Sequence, residues 1–336
     1  PPHAGRNGAS GCGSCGFVLL KHQLGRHLRC ADFSIVRAIS ESILQGDAGG
    51  ALARILEASV RRRRLEAIGA FLKAKPDLAP AYERARGVIR AFRRPAFYEI
   101  ATRCNLLCEG CYYFEGGQTG ADETGDVEAW RSFFETEAAR GVSMAYFIGA
   151  EPAMEPARLH AANGLFPYAN VGTNGTIRID PEIDMRISIS VWSGDADEDA
   201  RLRGAGVFGK ALKNYAGDPR ALVVYTLSRW NLAGARRAAE LCREHGLPMT
   251  FNMYSPTSGY LSKLAAREAN DRRYFRISSA EDNACFDDDA LDEARRVVDT
   301  LMTDFPETMV YSRAYNDWAT ETGPRYALDE NGVAAV

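Results

Sequence analysis

The sequence predicts an α/β fold built around a parallel sheet, and two observations lead to this prediction. Short apolar runs rich in Tyr, Phe, Val and Ile recur between residues 96 and 255, which suits strands that are buried on both faces. Stretches with helical periodicity lie between several of these runs. Strands that alternate with helices in this way are typical of parallel sheets with right-handed crossovers.

The predicted strands and helices follow one another in a regular order. Six strands are expected, at residues 96–101, 144–149, 168–172, 185–191, 221–227 and 249–254. The clearest helices between them are expected at residues 126–140, 206–216 and 232–245. A full eight-stranded barrel is disfavoured because residues 255–290 are polar and irregular.

The chain divides into four predicted regions. A flexible glycine-rich leader, an N-terminal helical region, the strand–helix region and a C-terminal extension are expected at residues 1–32, 33–94, 95–256 and 257–336. The helical region contains apolar residues at helical spacing, interrupted by four consecutive arginines at 61–64. The extension is expected to hold a helix at about 288–303 and a hairpin-like end at 326–336.

Composition places the chain among ordinary soluble proteins, since 46% of its residues are apolar and 25% are charged. No apolar run approaches the length of a membrane span or of a signal-peptide core. We therefore expect a cytoplasmic protein without a membrane span. Its eight cysteines are then expected to be metal ligands, redox groups or buried thiols instead of disulfides.

Charge is distributed unevenly along the chain. Residues 1–95 contain 17 Lys and Arg against 7 Asp and Glu, a net charge of +10. The remaining residues contain 24 against 37, a net charge of −13. Such a division suits either two halves that pack on each other or a docking surface. Because the sequence shows no nucleic-acid-binding module, we favour internal packing and expect no nucleic-acid partner.

Three cysteines lie within eight residues, at Cys104, Cys108 and Cys111, directly after the first predicted strand. Thiolates are the usual protein ligands of iron–sulfur clusters, and close spacing lets one loop surround a cluster. Three ligands leave one iron of a [4Fe–4S] cluster open to a ligand that is not protein. A zinc site is the alternative, although zinc loops usually combine two paired units and no second pair follows nearby.

The C-x3-C-x2-C spacing resembles the signature of the radical S-adenosylmethionine (SAM) superfamily. In that family the open iron binds the methionine part of SAM, and an electron from the cluster yields a 5′-deoxyadenosyl radical. The resemblance implies a [4Fe–4S] cluster and SAM as cofactors, with a flavodoxin- or ferredoxin-like electron donor. It also implies a partial (β/α)6 TIM-like barrel, here with an N-terminal helical extension and a short C-terminal α/β appendage.

The end of the second predicted strand, Gly149-Ala-Glu-Pro152, is similar to the Gly-Gly-Glu-Pro element of the family. There the glycine backbone and the acidic side chain hold the ammonium of SAM, so the resemblance assigns this role to Gly149 and Glu151. Ala150 replaces a glycine, and alanine does not readily adopt a positive φ. We expect either a slightly different backbone or a position that does not need that conformation.

The next two strand ends supply weaker candidates for SAM contacts. Thr173 and Asn174 resemble the family's Thr-Asn-Gly turn, although Asn-Gly also favours an ordinary tight turn. Ser188 and Ser190 lie on one face of the fourth predicted strand. The family commonly has an acidic residue two positions after the strand-four serine, and Trp192 stands there instead.

Two further residues complete the predicted cofactor site. Arg203 lies in a segment similar to the family's Arg-Gly-x-Gly-x-Phe element, in which the arginine often holds the SAM carboxylate. A surface arginine is the alternative interpretation. Asn231 follows the fifth predicted strand and could reach the barrel mouth, although an asparagine in such a loop is more often a helix cap.

The other cysteines carry weaker signals. Cys12, Cys15, His27 and Cys30 have the spacing of a zinc site, but the surrounding segment has few apolar residues to fold around a metal. Cys242 is expected to be a buried thiol in a helix. Cys285 could act as a ligand or hydrogen-atom donor, but such a cysteine more often does neither. The catalytic residue that acts on the substrate is not identifiable from the sequence.

The predicted function is that of a radical SAM enzyme acting on a small molecule, such as a sugar, a nucleoside or a lipid-like natural product. This preference follows from the absence of auxiliary-cluster cysteines after Cys285. A peptide- or protein-modifying enzyme, with residues 33–94 recognising a leader sequence, is the first alternative. A non-catalytic zinc-binding protein is the second.

Overall fold

The computed structural model describes residues 66, 68–91, 94–111, 113, 125–266 and 277–323. The predicted leader, the start of the predicted helical region and the hairpin-like end at 326–336 lie outside these residues. The chain separates into two compact units, with the boundary between Arg90 and Ala91. In the described part of the N-terminal unit, residues 68–74 are helical, a 3-10 turn spans Pro76–Leu78, and helix α1 (Ala79–Ala91) runs up to the boundary.

The second unit is built on one six-stranded parallel sheet. Its strands are β1 (Pro95–Ala101), β2 (Met144–Gly149), β3 (Tyr168–Thr173), β4 (Arg186–Val191), β5 (Ala221–Leu227) and β6 (Met249–Met253). They are hydrogen-bonded in sequence order, β1-β2-β3-β4-β5-β6, and every pair is parallel. Within the described strands, β1 and β6 do not pair with each other, so the barrel is open. All six predicted strands are confirmed to within a residue or so.

Helices connect the strands and lie after them in the chain. They are α2 (Val127–Ala139), α3 (Pro156–Ala162), α4 (Ala196–Arg203), α5 (Phe208–Tyr215) and α6 (Gly234–Glu244), followed by α7 (Ser258–Ala266), α8 (Asp288–Asp304) and α9 (Arg313–Ala319). The crossover from β3 to β4, residues 174–185, contains turns and no helix. Asp126 and Asp195 begin α2 and α4 by accepting backbone N–H groups of the first helical turn, as N-cap residues do.

The hydrophobic core lies between the sheet and these helices. Alternate residues of each strand, such as Tyr98, Ile100, Ile187 and Ile189, are buried in it against the helices. Because side chains alternate along a strand, the residues between them face the opposite side of the sheet. We call this second side the lumen face; it is formed by Phe97, Glu99, Tyr146, Ile148, Asn170, Gly172, Ser188, Ser190, Leu222, Val224, Thr226, Thr250 and Asn252, with Arg186 at its lower end.

The C-terminal helix α8 belongs to the same core, since its buried Ala294, Val298 and Leu301 pack in it. The chain then returns to the sheet, where Met249 in β6 donates to Thr308 O at 2.8 Å and accepts from Val310 N at 2.7 Å. None of the helices in the described ranges is long and apolar enough to cross a membrane.

Candidate active site

The three motif cysteines lie on one loop at the carboxyl end of β1. Cys104, Cys108 and Cys111 are all partly buried and none is in a disulfide. The backbone N–H of Leu106 donates to Cys104 Sγ at 3.4 Å, and Asn174 Nδ2 lies 3.9 Å from the same sulfur. Burial raises the pKa of the Cys104 thiol to about 11, so a metal must displace its proton to bind.

A buried carboxylate anchors this loop. Glu109, which is fully buried, donates its backbone N–H to Leu202 O at 2.7 Å. Its Oε1 accepts hydrogen bonds from Ser278 N at 3.2 Å and from Ser278 Oγ at 2.6 Å. Ser278 Oγ accepts in turn from the Tyr260 hydroxyl at 2.6 Å. The loop is therefore attached both to the end of α4 and to the chain that follows α7.

Glu151 joins the carboxyl ends of β2 and β3. Its side chain is 1% exposed. Oε1 accepts from Thr173 Oγ1 at 2.6 Å and from Ala153 N at 2.9 Å, while Oε2 accepts from Asn174 N at 2.7 Å. Burial raises the pKa of Glu151 above its usual range, and these three hydrogen bonds oppose that effect. The structure thus brings together Glu151, Thr173 and Asn174, three of the predicted cofactor residues.

Gly149 has a backbone conformation that only glycine adopts readily. Its φ is +133°, and a Cβ at this position would lie 2.4 Å from Ala101 O. The next residue, Ala150, donates its N–H to the same carbonyl at 2.8 Å. Strands β2 and β1 approach so closely here that a residue with a Cβ would not fit at position 149.

Asn174 connects the turn after β3 to the cysteine loop. Its Nδ2 donates to Asn105 Oδ1 at 2.8 Å, and its Oδ1 accepts from Thr176 N at 2.9 Å and Thr176 Oγ1 at 2.6 Å. The Asn-Gly sequence does form a turn here, with Gly175 at φ +76°. The asparagine side chain therefore positions the loop in addition to shaping the turn.

Arg203, at the end of α4, is buried beside the cysteine loop. Arg203 is 2% exposed, and its guanidinium donates to Ser190 O at 2.6 Å and lies beside Cys108. Burial alone would lower the pKa of Arg203, but the neighbouring Cys108 and Asp199 raise it above its usual value. Its Nε and the Asp199 Oδ1 atom are buried and have no hydrogen-bond partner in the described part of the chain.

The remaining predicted residues lie in two other places. Ser188 and Ser190 are on the lumen face, where Ser188 Oγ donates to Asn170 Oδ1 at 3.0 Å. Asn231 is fully buried, and its amide connects the ends of β4 and β5 through Ser228 N, Trp192 O and Thr226 O at 2.6–2.8 Å. Its side chain therefore forms hydrogen bonds within the protein, and it makes none with Glu151 or Thr173.

Sequence reasoning missed the residues that hold the cysteine loop in place. Glu109 lies inside the cysteine motif, and an acidic residue between two predicted metal ligands is a local signal for a positioning role. Ser278 carried no such signal, because it is 169 residues away from Glu109 in the sequence. Asn105 and Asp199 are also polar residues whose partners become visible only in the fold.

The donor groups of the site fit an iron–sulfur cluster together with an amino-acid ligand. Three thiols on one loop, with N–H donors near one sulfur, are the groups that hold and tune such clusters. Within the described ranges, no three His, Cys, Asp or Glu side chains are arranged to hold a single metal ion. The buried carboxylate of Glu151 suits an ammonium group, and the unpaired Nε of Arg203 suits a carboxylate.

Comparison with known proteins gives partial matches. No protein-family model matches the chain. Two curated relatives are PqqA peptide cyclases: that of Xanthomonas campestris pv. campestris is 29% identical over 157 residues, and that of Xanthomonas axonopodis pv. citri is 28% identical over the same length. These alignments cover 46% of this chain but only 37% and 38% of the relatives, so the chain matches less than two-fifths of their length.

A solved structure matches over most of the chain. SuiB of Streptococcus suis, in a crystal structure bound to S-adenosylmethionine, superposes with a TM-score of 0.50 and 13% sequence identity. The match covers 83% of this chain and 67% of the SuiB chain. This similarity confirms the predicted α/β partial-barrel fold.

Proposed function

We propose that this protein is a radical SAM enzyme that modifies a peptide. The observation that carries the proposal is the cysteine loop, where three partly buried thiols stand beside a buried carboxylate and a buried guanidinium. The peptide part rests on the sequence similarity to proteins named PqqA peptide cyclase.

This proposal changes the preference drawn from the sequence. A small-molecule substrate was favoured there because auxiliary-cluster cysteines are absent after Cys285. The relatives found by comparison are named for a peptide substrate, so they favour the peptide alternative over a sugar, nucleoside or lipid-like molecule. No comparison supports the zinc-binding alternative.

In the proposed site, Cys104, Cys108 and Cys111 hold a [4Fe–4S] cluster. When bound, this cluster would supply the electron that cleaves SAM and generates a 5′-deoxyadenosyl radical. The Leu106 N–H and the Asn174 amide stabilise negative charge on Cys104 Sγ. Arg203 lies beside Cys108 on the same loop.

Glu151 and Arg203 orient the methionine part of SAM in this proposal. Two hydrogen bonds occupy Glu151 Oε1 and one occupies Oε2, so Oε2 retains acceptor capacity for an ammonium group. Thr173 and Asn174 hold this carboxylate in a fixed direction, which reduces the cost of ordering it on binding. Because Gly149 has no Cβ, the end of β2 can approach Ala101 of β1 closely.

The lumen face is the proposed wall of the substrate cavity. Ser188 and Ser190 lie on it below the cofactor residues and could contact either SAM or substrate. Asn231 contributes by fixing the ends of β4 and β5. A flavodoxin- or ferredoxin-like protein is the proposed electron donor.

A competition between substrate classes tests the peptide part of the proposal. The anaerobically reconstituted protein is incubated with SAM and either a synthetic peptide library or a panel of phosphorylated sugars and nucleosides. Bound compounds are identified by mass spectrometry and then offered for turnover with dithionite. We expect retained peptides that change in mass only with SAM and only when all three motif cysteines are present. Retention of phosphorylated small molecules without any peptide would contradict the proposal.

A further inference from the structure

Glu99 is an acidic residue on the lumen face that no part of the cofactor site uses. It is the fifth residue of β1 and pairs in register with Ile148 of β2. Its neighbours Tyr98 and Ile100 are buried in the core, whereas Glu99 is exposed. The carboxylate therefore projects into the open barrel, five residues before the first motif cysteine.

This carboxylate has no counter-charge in the described part of the chain. No hydrogen bond or ion pair involves its side chain there, unlike those of Glu109 and Glu151. The other charged residue on the lumen face of the six strands is Arg186. Arg186 lies at the amino end of β4, three strands away, and donates to Pro219 O at 2.9 Å. An acidic group with no partner on a concave wall is suited to a cationic ligand.

Aromatic rings lie next to Glu99. Phe97, two residues earlier on the same face and about 7 Å away along the strand, is 47% exposed. Its ring stacks on that of Tyr146, with centroids 4.8 Å apart and planes at 16°. A carboxylate beside exposed aromatic faces is the usual environment for an ammonium or guanidinium group.

We propose that Glu99, with Phe97 and Tyr146, forms a subsite for a lysine or arginine side chain of the peptide substrate. The inference rests on the proposed function, since it assumes that a peptide enters the barrel. Glu99 accepts the charged hydrogen bonds, and the Phe97 ring covers the methylene groups and the cationic head. This subsite selects which residue of the peptide lies below the cofactor residues.

Binding without turnover tests the subsite. Four pools of acetylated heptapeptides, with random flanks and a fixed central Lys, Arg, norleucine or Glu, are offered to the reconstituted protein with SAM but without reductant. Retained peptide is measured by mass spectrometry. The variants are Glu99→Gln and, as a matched control, Glu128→Gln, which removes the same charge from an exposed position on α2. SAM affinity is measured for each protein.

The wild type and Glu128→Gln should retain the Lys and Arg pools at least about tenfold more than the norleucine pool, since charge-assisted hydrogen bonds are strong enough for this difference. In Glu99→Gln the preference should disappear while SAM affinity stays within about twofold. Equal retention of Lys and norleucine pools by the wild type would overturn the inference, as would a preference that survives in Glu99→Gln. A large loss of SAM affinity in Glu99→Gln would also overturn it, because Glu99 would then bind the cofactor.

These experiments distinguish a failure of the subsite from a failure of the proposed function. A Lys preference that depends on Glu99, in a protein that does not cleave SAM, would support the subsite and contradict the proposed reaction. SAM cleavage with peptide modification but without a Lys or Arg preference would contradict the subsite alone.

Discussion

The individual cysteines are the residues on which the assignment of chemistry depends most. Cys104→Ala should reduce the iron and sulfide content from about four of each per chain to well below that value, since a cube with two protein ligands is poorly held. Metal and sulfide analysis after anaerobic reconstitution measures this. Cys242→Ala is the matched control, because that thiol is fully buried in helix α6 and should not affect the cluster.

Two results would contradict this ligand assignment. A Cys104→Ala protein that keeps four irons would remove Cys104 from the ligand set. A wild-type protein that binds one zinc and no iron would restore the zinc alternative that the cysteine spacing alone left open.

Glu151 is the residue whose carboxylate is held most firmly in the site. Glu151→Gln preserves its shape but places an amide N–H₂ opposite the Asn174 N–H and removes the negative charge. We expect SAM affinity to fall at least about tenfold, because a charge-assisted hydrogen bond is lost. Equilibrium dialysis of the reconstituted protein measures this, with Glu128→Gln as the control for charge. An unchanged SAM affinity would remove Glu151 from its proposed role.

Gly149 determines how closely strands β1 and β2 approach at their carboxyl ends. Gly149→Ala should lower the free energy of unfolding by more than about 2 kcal/mol, because it combines an unfavourable positive φ with a clash against the Ala101 carbonyl. Gly164→Ala is the matched control, since Gly164 has φ +76° but no atom within 4 Å of its would-be Cβ. It should cost about 1–2 kcal/mol. Equal losses in urea denaturation would show that the strand contact contributes nothing.

The strands were the part of the fold that could be predicted from the sequence. Each is a short run of β-branched and aromatic residues, and burial against the helices leaves little freedom in where such a run begins and ends. The helices at 127–139, 208–215 and 234–244 also lie within the predicted ranges. The sequence predicts neither a helix nor its absence in the crossover at 174–185, because no periodic pattern marks that segment. The structure shows that this crossover contains no helix.

The positions of several candidate site residues at strand ends could be predicted from the sequence. Glu151, Thr173 and Asn174 follow β2 and β3 in the chain, and parallel strands bring such residues to one edge of the sheet. The hydrogen bonds of Glu109 to Ser278, and of Asn174 to Asn105, join segments far apart in sequence. Such partners are set by packing and cannot be read from local patterns.

At the scale of the whole molecule, the described part of the second unit is an open parallel barrel with the cysteine loop, Glu151 and Asn174 at the carboxyl ends of its strands. The core fills the space between sheet and helices, while Glu99, Asn170 and Ser188 lie on the lumen face. Residues 96–336, which all belong to this unit, carry a net charge of −13. This arrangement suits a cofactor held at the mouth and a cationic substrate below it.

The measurement that tests the central claim most directly is reductive cleavage of SAM. The protein is reconstituted anaerobically with iron and sulfide, reduced with dithionite and given SAM, and 5′-deoxyadenosine is measured by mass spectrometry. The account predicts its formation by the wild type and its absence in a protein with Cys104, Cys108 and Cys111 all replaced by alanine. A wild-type protein that holds a full cluster and binds SAM and peptide, yet forms no 5′-deoxyadenosine, would contradict the account.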